Sequence, residues 1–375
     1  MKVVAARADS YDYAAIAAAL EEIFEGNGGI EKIVLPGERI LLKPNLVEGM
    51  PPERAVNTHP EVMRVLIRMV KAAGGIPLVG DSPGIGGTLK ALEKSGILEV
   101  CRQEDAAVVP FDTAVEIAVP DGRLLKHISL AKAFIVADKV ISVAKMKTHT
   151  FMGITGSVKN LFGFVVGTDK ARFHLRMKQR PEFADMLIDL AGTVKPVFYL
   201  VDGVLAMEGD GPRNGKPRFA GILIGGADGF AVDAVMAEIM GFAPGDIPLL
   251  AKAAERGLGG SADGGLSISG SGAGIRHAFK PPATLNSLED RLPGWLVNFF
   301  QRQFTAKPVI AETCVGCRRC IEHCPPAAMS LKGGKAAVDL KKCIRCYCCQ
   351  ELCPHDALRL VDGFLLRAIR RFSGK

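Results

Sequence analysis

The chain has 375 residues, of which 48% are hydrophobic, and this length leaves room for more than one domain. Its formal net charge is +7, and one Trp with four Tyr offers little surface for base stacking, so the composition argues against a nucleic-acid-binding protein. The sequence shows neither a signal peptide nor an uncharged apolar run of membrane-spanning length, and we expect a cytoplasmic protein.

Strand and helix patterns alternate over the first 250 residues. Short apolar runs predict strands at residues 32–35, 39–42, 76–80, 139–143, 197–201 and 222–224. Amphipathic stretches predict helices at residues 60–73, 88–94, 181–192 and 231–240. Continuous apolar strands between helices are typical of parallel sheets that are covered on both faces. The sequence therefore predicts an α/β fold, with a parallel-sheet body of two lobes and a cleft over residues 1–285.

Polar side chains follow several of the predicted strands, and ligands of α/β folds bind beyond the carboxyl ends of strands. We therefore expect a set of substrate-binding residues there. These residues are Lys43, Asn45, Asp81, Ser82, Lys147, Lys159, Asn160 and Glu208. The alternative for an acidic residue such as Glu208 is that it accepts hydrogen bonds from backbone N–H groups of its own turn.

The segment from Lys145 to Lys159 carries the densest set of polar groups. Three lysines and a histidine surround a loop rich in Gly, Ser and Thr, which suits a carboxylate or a phosphate. We predict catalytic roles for Lys145, His149 and His174, with a histidine as proton donor because imidazole titrates near neutral pH. The alternatives are a solvated basic turn and structural histidines. The loop around Gly84, Gly86 and Gly87 lacks the third glycine of a dinucleotide fingerprint and is weak evidence for NAD or flavin.

Two cysteine runs near the C-terminus share one spacing. Each run has the form Cys-x2-Cys-x2-Cys-x3-Cys-Pro, and the second begins 29 positions after the first. This is the bacterial ferredoxin pattern, in which the fourth cysteine of each run binds the other cluster. We therefore expect two 4Fe–4S clusters. The ligands of the first would be Cys314, Cys317, Cys320 and Cys353, and those of the second Cys343, Cys346, Cys349 and Cys324.

A structural zinc site is the alternative for these cysteines, although zinc seldom uses eight of them in two copies of one register. Cys348 lies inside the second run and is expected to be a bystander, while Cys101 is expected to be a small buried apolar residue. The pattern predicts a small α+β ferredoxin-like two-cluster domain at residues 306–360, after an amphipathic connector at 286–305. A basic tail at 361–375 follows, which we expect to pack against that domain rather than to bind a membrane surface.

Five motifs together resemble a known family. They are Lys-Pro-Asn-Leu at 43–46, Gly-Asp-Ser-Pro at 80–83, Lys-x-Lys-Thr-His at 145–149, Gly-x-x-Lys-Asn-Leu-x-Gly at 156–163 and Glu-Gly-x-Gly-Pro at 208–212. In this order they are similar to the domain-of-unknown-function 362 family, which is often joined to a two-cluster ferredoxin, as here. The resemblance covers residues 38–250, and the family name implies no settled activity.

A more distant likeness is to the lactate racemase family, whose members bind a nickel–pincer nucleotide and carry a stretch like Pro-His-x-x-Gly-x-x-Gly-Gly-x-Lys. The segment from Thr148 to Lys159 is similar, but Thr148 replaces the proline, Ser157 replaces a glycine and the first gap has an extra residue. A counterpart of the family's Asp-x-Thr-Arg-Pro segment is missing. The likeness implies an α/β body with a cleft and carries neither nickel nor racemisation to this chain.

These features together predict an iron–sulfur oxidoreductase. Electrons from a ferredoxin-like donor would pass through the clusters to an anionic small molecule, or to an unidentified second cofactor, in the α/β cleft. Residues 314–353 hold seven Lys or Arg against three Asp or Glu, which favours an acidic ferredoxin or flavodoxin as the donor. Two alternatives stay open, namely a non-enzymatic electron relay or cluster-delivery protein, and a redox-gated isomerase-like enzyme related to lactate racemase.

Overall fold

The computed structural model describes residues 1–84, 86–167, 169–259, 265–285 and 305–363. Nearly all of the predicted connector and the tail after Gly363 lie outside these ranges. Within them, no helix combines the length and the apolar character needed to cross a membrane.

Nine strands of the first 285 residues form one sheet, and two more form a separate hairpin. The strands are β1 (Lys2–Arg7), β2 (Arg39–Lys43), β3 (Ile76–Val79), β4 (Ala107–Val108), β5 (Ala114–Ala118), β6 (His127–Ala131), β7 (Lys139–His149), β8 (Gly153–Thr155), β9 (Phe198–Glu208), β10 (Lys216–Gly226) and β11 (Ser267–Ser269). The order in the sheet is β11-β1-β10-β9-β7-β2-β3-β4, with β8 paired to the end of β7, and β5 pairs with β6. Strands β9, β7, β2, β3 and β4 run parallel, while β10 is antiparallel to β9 and β1. The predicted α/β fold is confirmed.

Helices cover both faces of this sheet. They are α1 (Tyr13–Gly26), α2 (Pro60–Ala72), α3 (Thr88–Lys94), α4 (Ile97–Gln103), α5 (Ala133–Val136), α6 (Ser157–Asn160), α7 (Asp169–Arg176), α8 (Arg180–Val194), α9 (Gly229–Met240) and α10 (Pro248–Glu255). Successive strand residues point to opposite faces, so Val3 and Ala5 pack on the α8, α9 and α10 side while Val4 and Ala6 pack on the α1 and α2 side. The continuous apolar strands thus supply two cores.

The strand predicted at 32–35 is wrong. A short 3₁₀ turn covers Ile30–Lys32, and the following backbone makes local bonds, with the N–H of Val34 donating to Ile30 and that of Leu35 donating to the Glu38 carboxylate. Positive-φ Gly29 and Gly37 bound this segment, and its local hydrogen bonds use the N–H groups of Val34 and Leu35 in place of a sheet partner. Strand β7 is longer than predicted, because it continues through His149.

The C-terminal domain repeats one backbone pattern twice. Its elements are β12 (Lys307–Ile310), α11 (Arg319–Glu322), β13 (Met329–Lys332), β14 (Lys335–Val338), α12 (Cys348–Glu351) and β15 (Leu358–Val361), and β12 pairs with β15 as β13 does with β14. Positive φ angles recur at the same offset of 29 residues, at 316 and 345, at 318 and 347, and at 327 and 356. The two cysteine runs therefore have matching loop conformations, and the predicted small α+β domain is confirmed.

Polar contacts hold this domain against the body. The buried guanidinium of Arg213 donates to Glu48 over 2.9 Å, to the Cys353 carbonyl and to Asp356 over 3.2 Å. The other oxygen of Glu48 accepts from Arg319 over 3.0 Å. Glu48 is thus a carboxylate shared by one arginine of the body and one of the C-terminal domain.

We expect Arg213→Ala to detach the C-terminal domain from the body. The variant leaves Glu48 with the more exposed Arg319 as its remaining ion-pair partner and removes the donor of the Cys353 carbonyl. Losing one partner of a buried ion pair costs about 3–5 kcal/mol. Hydrogen exchange of residues 305–363 and chemical denaturation would measure the loss.

The matched control is Arg319→Ala, because this side chain pairs with the same Glu48 but is 38% exposed. An exposed pair contributes about 0–1 kcal/mol. An equal loss of stability in the two variants would contradict the conclusion that buried Arg213 holds the C-terminal domain to the body.

Candidate functional site

A cavity of about 560 Å³ lies between the body and the C-terminal domain. The carboxyl ends of β2, β3 and β7, which are parallel neighbours, contribute to its body side. The lining residues from the C-terminal domain are Glu322, His323, Cys324, Pro325, Cys348, Glu351 and Leu352. The cavity is of the size that holds a small molecule. Nine of the eleven described body strands belong to one sheet, and this cleft lies between domains rather than between two lobes of the body.

A buried ion pair supports the body side of the cavity. The Lys43 ammonium lies 2.7 Å from an Asp81 oxygen and 3.1 Å from the Asn160 amide oxygen. The other Asp81 oxygen accepts from the N–H of Leu46 over 2.7 Å. Burial lowers the pKa of Lys43, and Asp81 opposes that shift. Asp81 and Asn160 line the cavity, while Lys43 lies behind them.

Lys147 occupies a second buried position behind the lining. Its ammonium donates to the Asn45 side chain and to the Val56 carbonyl, both of them neutral acceptors. Burial lowers the pKa of Lys147 well below its ordinary value, and the ammonium groups of Lys159 and Lys145 lower it further. Asn45 also donates to Asn160 over 3.0 Å, and it lines the cavity.

Lys145 lies outside the cavity lining. Its ammonium is 2.8 Å from both the Asp202 carboxylate and the Tyr11 hydroxyl. The Tyr11 ring stacks on the His59 ring with 3.5 Å between centroids, and the backbone N–H of His59 donates to Asp202. The predicted catalytic lysine is therefore placed in a buried cluster in which its charge is compensated by Asp202.

His149 ends β7 and lines the cavity. Its Nδ1 accepts from the N–H of Phe151 over 3.0 Å and that of Met152 over 3.3 Å, so the neutral ring carries its proton on Nε2. Burial lowers the pKa of His149 well below its ordinary value, with Lys159 and His174 adding to the shift. Its Nε2 lies 3.4 Å from a Glu351 oxygen. The ring thus presents an N–H toward the C-terminal domain.

His174, on α7, forms an aromatic part of the lining. Its ring stacks on Phe183 at 4.7 Å and lies edge-on to Phe162 at 5.9 Å. Burial lowers the pKa of His174 to about 3, and Lys159 contributes to that shift. Its Nδ1 is buried and has no hydrogen-bond partner among the described residues.

Lys159 and Lys170 are the two lysines of the lining. Lys170 donates to the carbonyls of Ser82 and Pro83, and burial lowers its pKa to about 7. Lys159 makes no hydrogen bond or ion pair within the described part of the chain. Burial lowers its pKa, which the charge of Glu351 opposes. Lys159 therefore offers the freer ammonium group.

The structure separates the predicted site residues into four groups. Those that line the cavity are Asn45, Asp81, Ser82, His149, Lys159, Asn160 and His174. Lys43 and Lys147 lie behind the lining, and Lys145 lies in its own cluster. Glu208 is away from the cavity, because its carboxylate accepts from Arg218 over 2.9 Å and from the N–H of Lys280 over 3.0 Å. Their roles stay predictions.

Sequence reasoning missed Lys170, Thr155 and Glu351 in the lining. The position of Lys170 four residues before His174 on one helix was a usable signal, because such residues share a face. Glu351 lies in the C-terminal domain and faces His149 through domain docking, which the sequence does not reveal. Burial raises the pKa of Glu351 to about 7, while Lys159 and Lys147 lower it.

The predicted cluster cysteines form two groups of four. Burial raises the pKa of Cys320 to about 11, and the neighbouring thiols of Cys353, Cys317 and Cys314 raise it further. These four line one small cavity together.

The second group behaves in the same way. Burial raises the pKa of Cys349, and the neighbouring thiols raise it further, chiefly those of Cys346, Cys343 and Cys324. Backbone N–H groups donate to sulfur in both groups, at Cys324 over 3.2 Å and at Cys353 over 3.3 Å. Such donors suit thiolates that bind iron, so both groups fit iron–sulfur clusters.

Comparisons with known proteins agree with this division of the chain. Residues 40–238 match the family model DUF362, a domain of unknown function, and residues 307–354 match a 4Fe-4S dicluster domain. A thylakoid-associated protein of Synechocystis sp. is 37% identical over 253 residues, which are 67% of this chain and 78% of that protein.

Two solved structures are also similar. The lactate racemase apoprotein from Thermoanaerobacterium thermosaccharolyticum has 16% identity and a TM-score of 0.38 over 55% of this chain and 51% of that one. A crystal structure of a protein from Thermotoga maritima has 13% identity and a TM-score of 0.35 over 56% of this chain and 55% of that one. The chain thus spans about half the length of each.

We expect Gly163→Ala to disrupt the cavity wall. A Cβ at this position would lie 2.0 Å from the Asp81 carboxylate and 2.5 Å from the Lys43 ammonium, so the buried pair would have to separate. A cost of about 3 kcal/mol in the free energy of unfolding is expected.

Gly192→Ala is the matched control, because it lies within α8 and a Cβ there would meet no atom within 4 Å. This variant should gain about 0.5–1 kcal/mol from the lower entropy of its unfolded chain. Chemical denaturation of both variants tests this prediction. A gain in stability for both variants would contradict the close approach of Gly163 to the Lys43–Asp81 pair.

His174→Phe should reduce the sensitivity of the fold to acid. The pKa of His174 is about 3 in the fold against an ordinary value of 6.5, so the unfolded chain binds the proton first as the pH falls. Stability from this residue is therefore present above pH 6.5 and is lost progressively between 6.5 and 3, by about 2 kcal/mol at pH 5.

Denaturation of both proteins at pH 7 and pH 5 measures the effect. The variant should lose about 2 kcal/mol less than the parent protein between these pH values, and an equal loss would contradict a buried neutral His174.

Proposed function

Because this chain belongs to the DUF362 family and carries a 4Fe-4S dicluster domain, we propose that it is an iron–sulfur oxidoreductase that reduces an anionic small molecule, or a second cofactor, in the interdomain cavity. One observation carries the proposal. Cys324, a predicted cluster ligand, lines the same cavity as Lys159 and His149. A bound molecule would therefore lie against both the iron–sulfur domain and the polar groups of the body.

The cysteines would hold two 4Fe–4S clusters, the first through Cys314, Cys317, Cys320 and Cys353 and the second through Cys343, Cys346, Cys349 and Cys324. When bound, such clusters supply single electrons at low potential. The thiol of Cys348 lines the cavity beside the second group and is outside both ligand sets.

The body residues would bind the substrate and deliver a proton. The Lys159 ammonium, which makes no ion pair within the described residues, would compensate negative charge on the substrate. The Nε2–H of His149 points toward the C-terminal domain and would donate a hydrogen bond to the substrate. The ring would pass on a proton only after it has taken up a second one, which negative charge on the substrate favours. The aromatic groups around His174 would exclude water.

An acidic ferredoxin or flavodoxin is the electron donor that we propose, because residues 314–353 hold seven Lys or Arg against three Asp or Glu. We also propose a cytoplasmic location, where thiolate ligands stay reduced. The Synechocystis relative is named as thylakoid-associated. The alternative is therefore that this protein meets its electron donor at a membrane surface.

The proposal can be tested anaerobically in two steps. The isolated protein should contain eight irons and eight sulfides, Cys324→Ser should lose part of that content, and Cys348→Ser should keep it. The reduced protein is then mixed with the small-molecule fraction of a cell extract, and its visible absorbance is followed as it is reoxidised. His149→Gln and Lys159→Gln should slow reoxidation at least about tenfold, while the exposed Lys132→Gln should not.

Other results would contradict the proposal. Reoxidation by macromolecules alone, unchanged in His149→Gln and Lys159→Gln, would favour the electron relay. An isolated protein that contains zinc and no iron would contradict the prediction of iron–sulfur clusters. Reduction by a ferredoxin should slow as ionic strength rises, and a rate independent of salt would exclude an acidic donor.

A further inference from the structure

Two residues that line the interdomain cavity carry buried polar atoms without partners. Within the described residues, the Thr155 hydroxyl and His174 Nδ1 make no hydrogen bond, although the two residues are only 2% and 8% exposed. Lys159 likewise makes no ion pair. A buried polar atom left without a partner costs about 1–3 kcal/mol. Together with the unpaired ammonium of Lys159, such groups in the wall of one cavity favour a ligand that brings a polar group.

The hairpin of β7 and β8 brings part of this set to one surface. Lys147 pairs with Thr155 and His149 pairs with Gly153 in register, so Thr155 and His149 lie on the same face of the hairpin. Helix α6 begins two residues after β8 and carries Lys159. The three groups are a hydroxyl, an imidazole N–H and an ammonium, all of them able to donate to one oxyanion.

The rest of the lining is largely apolar. It includes Leu46, Phe111, Phe162, Val166 and Leu352. Such walls favour a ligand whose body is a hydrocarbon or an aromatic ring. A small hydrophilic anion would leave these side chains in contact with water.

The charges of the lining limit the ligand to one negative charge. Lys159 supplies one free ammonium, whereas the Lys170 ammonium is held by two carbonyls. Asp112, Glu322 and Glu351 also line the cavity. A dianionic phosphate would meet these carboxylates with a single free cation beside it, whereas a monocarboxylate brings half that charge and would be repelled less.

We propose that the cavity binds an apolar monocarboxylate, with its carboxylate at Lys159, His149 and Thr155 and its apolar body against Phe162 and Leu352. This inference rests on the proposed function, since it names the class of molecule that the same cavity would present for reduction. It needs no redox step to be tested.

Calorimetry of the anaerobic, cluster-loaded protein provides the test, with trans-cinnamate as the probe. Cinnamyl alcohol has the same apolar body without the carboxylate, and phosphate is an anion without an apolar body. Cinnamate should bind at least about tenfold more tightly than the alcohol, because a charge-assisted hydrogen bond contributes that much. Lys159→Gln should weaken cinnamate binding about tenfold and leave binding of the alcohol unchanged, which also reports that the variant is folded.

Three results would overturn the inference. They are no binding of cinnamate at millimolar concentration, phosphate binding as tight as cinnamate binding, and a loss that follows Lys170→Gln instead of Lys159→Gln. Failure of the proposed function is a separate result. In that case cinnamate binds as expected, but no small molecule reoxidises the reduced protein.

Discussion

The compensation of buried ammonium groups is the constraint on which this site depends. An ion taken out of water costs several kcal/mol unless a partner lies beside it. Lys43 is compensated by Asp81 and Lys145 by Asp202, each over less than 3 Å. Lys147 has neutral acceptors alone, and burial lowers its pKa strongly. These lysines are held in place by the protein itself, which leaves Lys159 as the ammonium group that a ligand can compensate.

The same constraint explains the glycines beside the site. Gly163 approaches the Lys43–Asp81 pair so closely that a Cβ would collide with both partners, and Gly156 approaches the Asp233 carboxylate in the same way. Asp233 accepts from the N–H groups of Ser157 and Val158, which are the first residues of α6. These glycines therefore allow protein groups to come close to one another. The sequence of the Gly-rich loop instead predicts a site for a bound carboxylate or phosphate.

Local residue patterns predicted most of the secondary structure, whereas pairing between distant residues decided the site. Apolar periodicity predicted α3 at 88–94 with the bounds that the structure shows, and spacing alone predicted the cysteine groups. The C-terminal part of β7 could not be recognised as a strand from its sequence, because two lysines and His149 give it the polar pattern of a solvated loop. Their partners, such as Asp202 and Glu351, are 57 and 202 residues away along the chain. Because such partners come from other strands or from the docked domain, periodicity carries no signal for them.

The arrangement of charge in the cavity favours electron transfer that is coupled to proton transfer. An electron added to a molecule in a dry cavity creates a negative charge that little water can stabilise, so the protein must already hold a compensating group. Lys159 supplies a positive charge within reach of His149, and the neutral ring of His149 donates a hydrogen bond from the nitrogen that faces the iron–sulfur domain. Burial and Lys159 both disfavour a second proton on that ring. Negative charge on the ligand beside His149 would raise the pKa of the ring and would thereby favour uptake of the second proton that His149 can pass on.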